Sequence, residues 1–273
     1  MKRFVLSAPP NPEGMIRLYD KDYHYLVRVR RLMHGSCFDA LLPDGTEIRV
    51  RVLSTVDNIL IGECLEPTGQ EASVGQASEK QASAKLASLR RPSPIPPIAL
   101  FQGLPKGAKM DTIIRQAAEG GVYLVAPFES EYAEARSNAE KVKRWQRIVR
   151  EARQQSGSAT ETLVRPPCGF DALLGYWESL KEEHKRPVGI LLHQEPLEKG
   201  SFHDYIRDNP DFIALAVGPE GGFSPREVSL FLAAGFKPLL MGNTILRVDT
   251  AALYGTAALR IILLEKESWT SKE

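Results

Sequence analysis

From residue 98 onward the chain carries short, unbroken apolar runs: Ile98-Ala99-Leu100-Phe101, Val122-Tyr123-Leu124-Val125-Ala126, Val188-Gly189-Ile190-Leu191-Leu192, Phe212-Ile213-Ala214-Leu215-Ala216-Val217 and Pro238-Leu239-Leu240-Met241. Runs without alternation predict strands covered on both faces, as in a parallel sheet. Helical segments separate them; one places Val142, Trp145, Ile148, Val149 and Ala152 on a single apolar stripe. The first 67 residues obey a different rule. Residues 37–42 and the alternating residues 47–52 flank Pro43-Asp44-Gly45-Thr46, a hairpin signal, and Asp57-Asn58 marks a further turn before residues 59–65. This pattern predicts a small antiparallel barrel, interrupted by a helix-prone stretch over residues 20–33.

Between residues 68 and 97 Ser, Ala, Gln and Lys dominate, and the stretch ends in Arg90-Arg91-Pro92-Ser93-Pro94-Ile95-Pro96-Pro97. Such a composition has too little apolar surface to offset the entropy of ordering it, which predicts a flexible linker with a stiffer proline-rich end. An exposed helix over residues 79–89 is the alternative. The expected division is therefore 1–67, a linker over 68–97, and an α/β domain over 98–273.

Length and charge narrow the function. A chain of 273 residues with 43% hydrophobic side chains is long enough for two packed cores. A net charge of +1 argues against gripping nucleic acid through an overall positive field, so any such binding falls to local basic patches. The three cysteines, Cys37, Cys64 and Cys168, are far apart and match no metal-ligand spacing; no metal is expected. The sequence has neither a signal-peptide pattern nor an apolar stretch of membrane-spanning length, so the expectation is a soluble cytoplasmic protein without membrane partners.

Open parallel sheets bind ligands beyond the carboxyl ends of their strands, which directs attention to the loops there. The strand ending at Val217 enters Gly218-Pro219-Glu220-Gly221-Gly222-Phe223, followed by Ser224-Pro225-Arg226-Glu227. Ser224 as cap, Pro225 at the first helical position and Glu227 three residues on predict a capping box. Gly-rich strand–helix turns often bind nothing. As a phosphate loop this one is poor, because the Gly and Lys spacing is wrong and Glu220 would repel phosphate. A ligand that offers donors or positive charge, such as an adenine edge, a ribose or a sulfonium, suits it better. The second loop is Leu240-Met241-Gly242-Asn243-Thr244-Ile245-Leu246-Arg247-Val248-Asp249-Thr250-Ala251, with the last helix expected to start at Asp249 or Thr250. Ile245 and Leu246 read equally as ligand contacts or as core filling beneath the loop.

These two loops, in this order, resemble the RsmE family of SPOUT methyltransferases, which methylate N3 of a uridine in small-subunit (16S) ribosomal RNA. The matching strings are Gly218 to Ser224 with Glu227, then Met241-Gly242 and Ile245-Leu246-Arg247 to Thr250-Ala251. Leu104-Pro105-Lys106-Gly107-Ala108-Lys109-Met110-Asp111, Pro127-Phe128-Glu129-Ser130-Glu131 and the Arg3-Phe4 and His24 to Leu32 segments extend the match. Thr244 stands where the family usually has arginine, Asp249 where it has glutamate, and Gly120 where leucine is common. The segment 152–158 keeps Gln155-Ser156 but lacks the acidic residue and the following Arg or Lys.

The resemblance implies a trefoil-knotted parallel-sheet domain, a PUA-like barrel before it, a homodimer, and S-adenosyl-L-methionine as cofactor. It implies that the cofactor lies against three loops: Leu192, Gln194 and Glu195 in the first, Val217, Gly218, Pro219, Glu220 and Gly221 in the second, and Leu240, Met241, Gly242, Ile245 and Leu246 in the third. Arg247 is the expected catalytic residue, steadying negative charge on the uracil oxygens; pairing with Asp249 or Glu220 is the alternative role. No residue stands out as a general base; His193 is the only nearby histidine, and a lone histidine beside a strand is more often structural. Arg3, Arg28, Arg30, Arg31, Lys106 and Lys109 are the expected RNA contacts. A ribosome-assembly factor that keeps the fold without catalysis, or a methyltransferase of another RNA site, would carry the same strings.

Overall fold

The structure is a computed structural model and describes residues 4–43, 45–65, 95–134, 139–195 and 201–270. Arg3 and nearly all of the expected linker lie outside the described residues. The chain divides into two compact units, residues 1–92 with 153–161, and residues 93–152 with 162–273. The segment 153–161, which the sequence division assigns to the α/β domain, thus groups with the first unit.

The first unit is a five-stranded sheet formed by β1 (Phe4–Val5), β2 (Met15–Leu18), β3 (Cys37–Leu41), β4 (Glu47–Ser54) and β5 (Leu60–Leu65), in the order β1-β3-β4-β5-β2. The expected hairpin is β3–β4, antiparallel, with Phe38 opposite Val50. Alternation in β4 buries Ile48, Val50 and Val52 while Glu47, Arg49 and Arg51 face out. Every pairing is antiparallel except β1 with β3. The helix-prone stretch forms α1 (Asp20–Tyr23), which widens into a π-helical turn over His24–Val29. It stops short of the expected Met33 because Arg31 adopts a left-handed φ of 57°. Leu26, wholly buried, fastens that turn onto the sheet core.

The second unit carries a seven-stranded sheet in which every pairing is parallel. Its strands are β6 (Ile98–Gly103), β7 (Leu124–Glu129), β8 (Leu163–Val164), β9 (Cys168–Gly169), β10 (Pro187–Leu192), β11 (Phe212–Val217) and β12 (Phe236–Leu239). The path runs β12-β10-β11-β6-β7-β8, with β9 also on β7. Two cores cover its faces, as the unbroken runs require. Leu100, Val125, Ile213 and Leu215 enter one with α2 (Lys109–Glu119), α3 (Ala139–Ser156) and the last helix; Ala99, Phe101, Ala126 and Ala214 enter the other. Trp145, Ile148, Val149 and Ala152 are buried on α3, as their spacing predicts. On the opposite face lie α4 (Phe170–Glu183), through Leu173 and Trp177, and Phe231 of α6 (Pro225–Ala233); a short α5 (Phe202–Tyr205) precedes β11. The last helix, α7, runs Val248–Thr270 and starts just ahead of the expected Asp249 or Thr250. Because β12, β10 and β11 are neighbours, the loops leaving their carboxyl ends open side by side.

Candidate functional site

Those three loops and one lysine of α2 enclose a cavity of about 310 Å³. Leu192, His193 and Gln194 line it from the first loop, Val217, Gly218, Pro219, Glu220, Gly222 and Phe223 from the second. Leu240, Met241, Gly242, Thr244, Ile245, Leu246 and Arg247 close it from the third, with Val248 and Ala251 of α7 and Lys109. The fold therefore brings together all the expected cofactor contacts except Glu195 and Gly221. Glu195 is exposed at the end of its loop, and its N–H donates to His193 Nδ1 at 3.1 Å, so that ring nitrogen is turned back on its own turn. Gly221 faces Tyr132: a Cβ at this position would lie 2.9 Å from that of the tyrosine.

The capping box forms as spacing demands. Ser224 Oγ accepts from Glu227 N–H at 3.1 Å, and the Glu227 carboxylate accepts from Ser224 N–H at 2.9 Å. Glu227 is wholly buried, and its carboxylate also accepts from Ser130 Oγ and Glu131 N–H, each at 2.9 Å. It thereby ties the glycine loop to the segment after β7. On the other side, buried Gln102 donates through Nε2 to the carbonyls of Gly103 and Val217, at 2.9 and 3.5 Å.

Glu220 does not present a bare negative charge. Its carboxylate accepts from Lys109 Nζ at 2.5 Å and from Lys106 N–H at 3.2 Å. Burial works to raise its pKa, but the Lys109 hydrogen bond and the backbone donors outweigh it, and the group is held below the ordinary glutamate value. Lys109, an expected RNA contact, lies in the cavity wall; the unpaired-looking glutamate of a glycine loop was the available signal for such a distant cation. Lys106 pairs with Glu134 at 2.6 Å.

The third loop answers the open question about its apolar residues. Ile245 is 86% exposed and Leu246 half-buried, so neither fills the core. Gly242 has φ 96°, outside what side chains tolerate, and a Cβ there would meet nothing within 4 Å. The Arg247 side chain is 77% exposed, and its Nε lies 4.0 Å from Asp249, a loose pairing rather than a closed one. The cavity thus combines bare backbone, apolar walls and an exposed guanidinium at the rim. Among the described residues, no cluster of three or more His, Cys, Asp or Glu side chains could hold a metal, and no helix is long and apolar enough to cross a membrane.

Comparison with known proteins agrees with this geometry. A family described as the RNA methyltransferase domain matches residues 91–260. The ribosomal RNA small subunit methyltransferase E of Synechocystis sp. is 29% identical over 263 residues, covering 96% of this chain and 78% of its own. Ribosomal RNA small subunit methyltransferase E 2 of Borreliella burgdorferi is 28% identical, with 96% and 98% covered. The solved structure of a ribosomal RNA small subunit methyltransferase E from Neisseria gonorrhoeae, bound to S-adenosyl methionine, superposes with a TM-score of 0.72 at 25% identity, covering 96% of this chain and 98% of its own. The chain belongs to the RNA methyltransferase family and, within it, to the RsmE group of SPOUT methyltransferases.

Proposed function

We propose that this protein transfers a methyl group from S-adenosylmethionine to N3 of a uridine in small-subunit (16S) ribosomal RNA, in the cytoplasm. The observation that carries the reading is the convergence of three strand-end loops on one cavity whose chemistry fits that cofactor. Its volume, about 310 Å³, lies at the lower end for small-molecule sites. Peptide groups at Gly218 and Gly242 can meet the edge of a purine, while Leu192, Met241 and Leu246 offer apolar walls. With Glu220 already satisfied by Lys109, nothing in the pocket demands a phosphate or a metal. When bound, the cofactor supplies a methyl group on a sulfonium, a good leaving group that departs neutral.

The protein's share is positioning and charge. Uridine N3 carries a proton at neutral pH, and its removal leaves negative charge on O2 and O4 that needs a partner. Arg247, exposed and loosely held at the cavity rim, is the group we assign to it. For RNA we assign residues 1–67 as the binding domain, 68–97 as its linker and 98–273 as the catalytic domain. Arg28 and Arg31 are exposed, Arg30 keeps a buried Nη1 without a hydrogen-bond partner, and Tyr25, Val29 and Met33 lie exposed among them, a basic and apolar mixture suited to RNA. We infer a homodimer from the apolar residues left exposed on α7, Tyr254, Ile261 and Leu264, and from the exposed Ile245 at the cavity rim.

Nucleoside mass spectrometry of small-subunit RNA tests the reaction. Deleting the gene should remove N3-methyluridine and restoring it should return the mark; an unchanged nucleoside profile refutes the assignment. Calorimetry with the wild-type protein should show S-adenosylmethionine binding, and a homologue that serves only as an assembly factor would show none.

A further inference from the structure

Tyr132 is an aromatic ring left half in solvent by a loop that is otherwise tied down. Its side of the chain is fixed by Ser130 and Glu131, both held on the buried Glu227 carboxylate. Ala133 N–H closes a turn onto the Ser130 carbonyl at 3.0 Å, and the Ala133 side chain is buried. The Glu131 carboxylate accepts from Arg226 at 2.9 Å, and Glu134 pairs with Lys106 at 2.6 Å. Gly221 then receives Tyr132 so closely that an added Cβ would lie 2.9 Å from the tyrosine Cβ and 3.4 Å from its carbonyl oxygen. Despite these anchors Tyr132 stays 51% exposed.

Single exposed apolar residues are ordinary on a protein surface. Two features set this one apart. Ordering a loop residue costs about 1–2 kcal/mol in backbone entropy, and here that ordering leaves half of the residue in water. Gly221 is also the glycine of its loop that does not line the cavity, while Gly218 and Gly222 on either side do. The base of the Tyr132 side chain therefore packs on the loop that forms the cavity wall. The two carboxylates flanking it are neutralised by Arg226 and Lys106, which removes the repulsion they would exert on a phosphate backbone.

We propose that the Tyr132 ring is a stacking platform for an unpaired base of the substrate RNA beside the uridine that is methylated. This rests on the reaction assigned above. N3 lies on the pairing edge of uracil, so the target must be unpaired when it reacts, and its neighbours lose stacking partners. An aromatic face replaces that stacking for any base, whereas hydrogen-bonding side chains would demand a particular one.

The test is steady-state methylation of small ribosomal subunits from a strain lacking the enzyme, with S-adenosylmethionine affinity and sedimentation measured alongside. Tyr132→Phe should stay within about twofold of wild type in KM for the subunits, whereas Tyr132→Leu and Tyr132→Ala should raise it about tenfold, within the range of base–aromatic stacking. Cofactor affinity, melting temperature and oligomeric state should not move. Gly221→Ala, which must push the tyrosine away, should raise KM in the same direction. An unchanged KM in Tyr132→Ala overturns the platform, as does a parallel loss of cofactor affinity or a dissociated dimer, which would assign the ring to the cofactor loop or to a second copy of the chain. Wild-type protein inactive on subunits would instead bring down the reaction itself.

Discussion

Glu227 offers the sharpest test of how the site is held. Its carboxylate accepts three donors: Ser224 N–H and Ser130 Oγ on Oε2, and Glu131 N–H on Oε1, each at 2.9 Å. In Glu227→Gln one oxygen becomes an NH2 group of nearly the same shape. The Ser130 hydroxyl can turn and accept, but the two backbone N–H groups sit on opposite oxygens and cannot. Whichever way the amide is flipped, one peptide N–H faces another donor. A buried donor left unsatisfied costs about 1–3 kcal/mol, which for a protein of this size lowers melting by about 2–4 °C per kcal/mol. Glu227→Ala orphans all three donors and opens a void, at about 3–5 kcal/mol. Trp145 and Trp177 are both buried in the unit that holds Glu227, so intrinsic fluorescence during heating follows the relevant unfolding. The expected order is wild type, Gln, Ala, with cofactor affinity weakening in step, because Ser224 directly follows the glycine loop. A Gln variant that melts within about 1 °C of wild type, with an Ala variant no worse, would show that the bonds do not carry the loop.

Further outcomes follow from the same geometry. Arg247→Ala should lower kcat by about a hundredfold, the scale of a lost charge-stabilising donor, with calorimetric cofactor affinity unchanged and Arg247→Lys recovering part of the rate. Gly242→Ala should destabilise by about 1–2 kcal/mol, since the backbone there is left-handed, and should weaken cofactor binding measured by titration. Glu220 has a depressed pKa, so what its pairing with Lys109 contributes is present above the ordinary glutamate range and lost as pH falls through the lowered value. Cofactor affinity should therefore stay level from about pH 8 to about pH 5 and decline below, and Glu220→Gln should remove that decline. Burial and then the charge of Glu63 push the Cys64 thiol up to about 11; its alkylation at about pH 8 should be far slower than that of free cysteine, read by mass spectrometry.

What the sequence revealed of the site, and what it hid, divides by distance along the chain. The capping box needs only Ser224 and Glu227 three residues apart, and the strand ends follow from apolar runs, so the two glycine loops were legible as the place for chemistry, while the loop after Leu192 was singled out by the resemblance alone. Two-residue strands such as β8 and β9 are too short to leave a pattern. The early end of the α1 segment depends on the left-handed backbone at Arg31, which its side chain does not announce. The functions of the acidic residues were hidden for another reason. Glu227 reaches partners 97 and 96 residues away, and Glu220 reaches Lys109 across 111. Both meetings require β6 and β7 to follow β11 in the sheet, an order that no periodicity encodes. A buried or half-buried carboxylate nevertheless implies that such donors exist somewhere. The glycines made the loops visible as a site, and the two glutamates among them state, by their need for partners, that distant segments must converge there to hold it open.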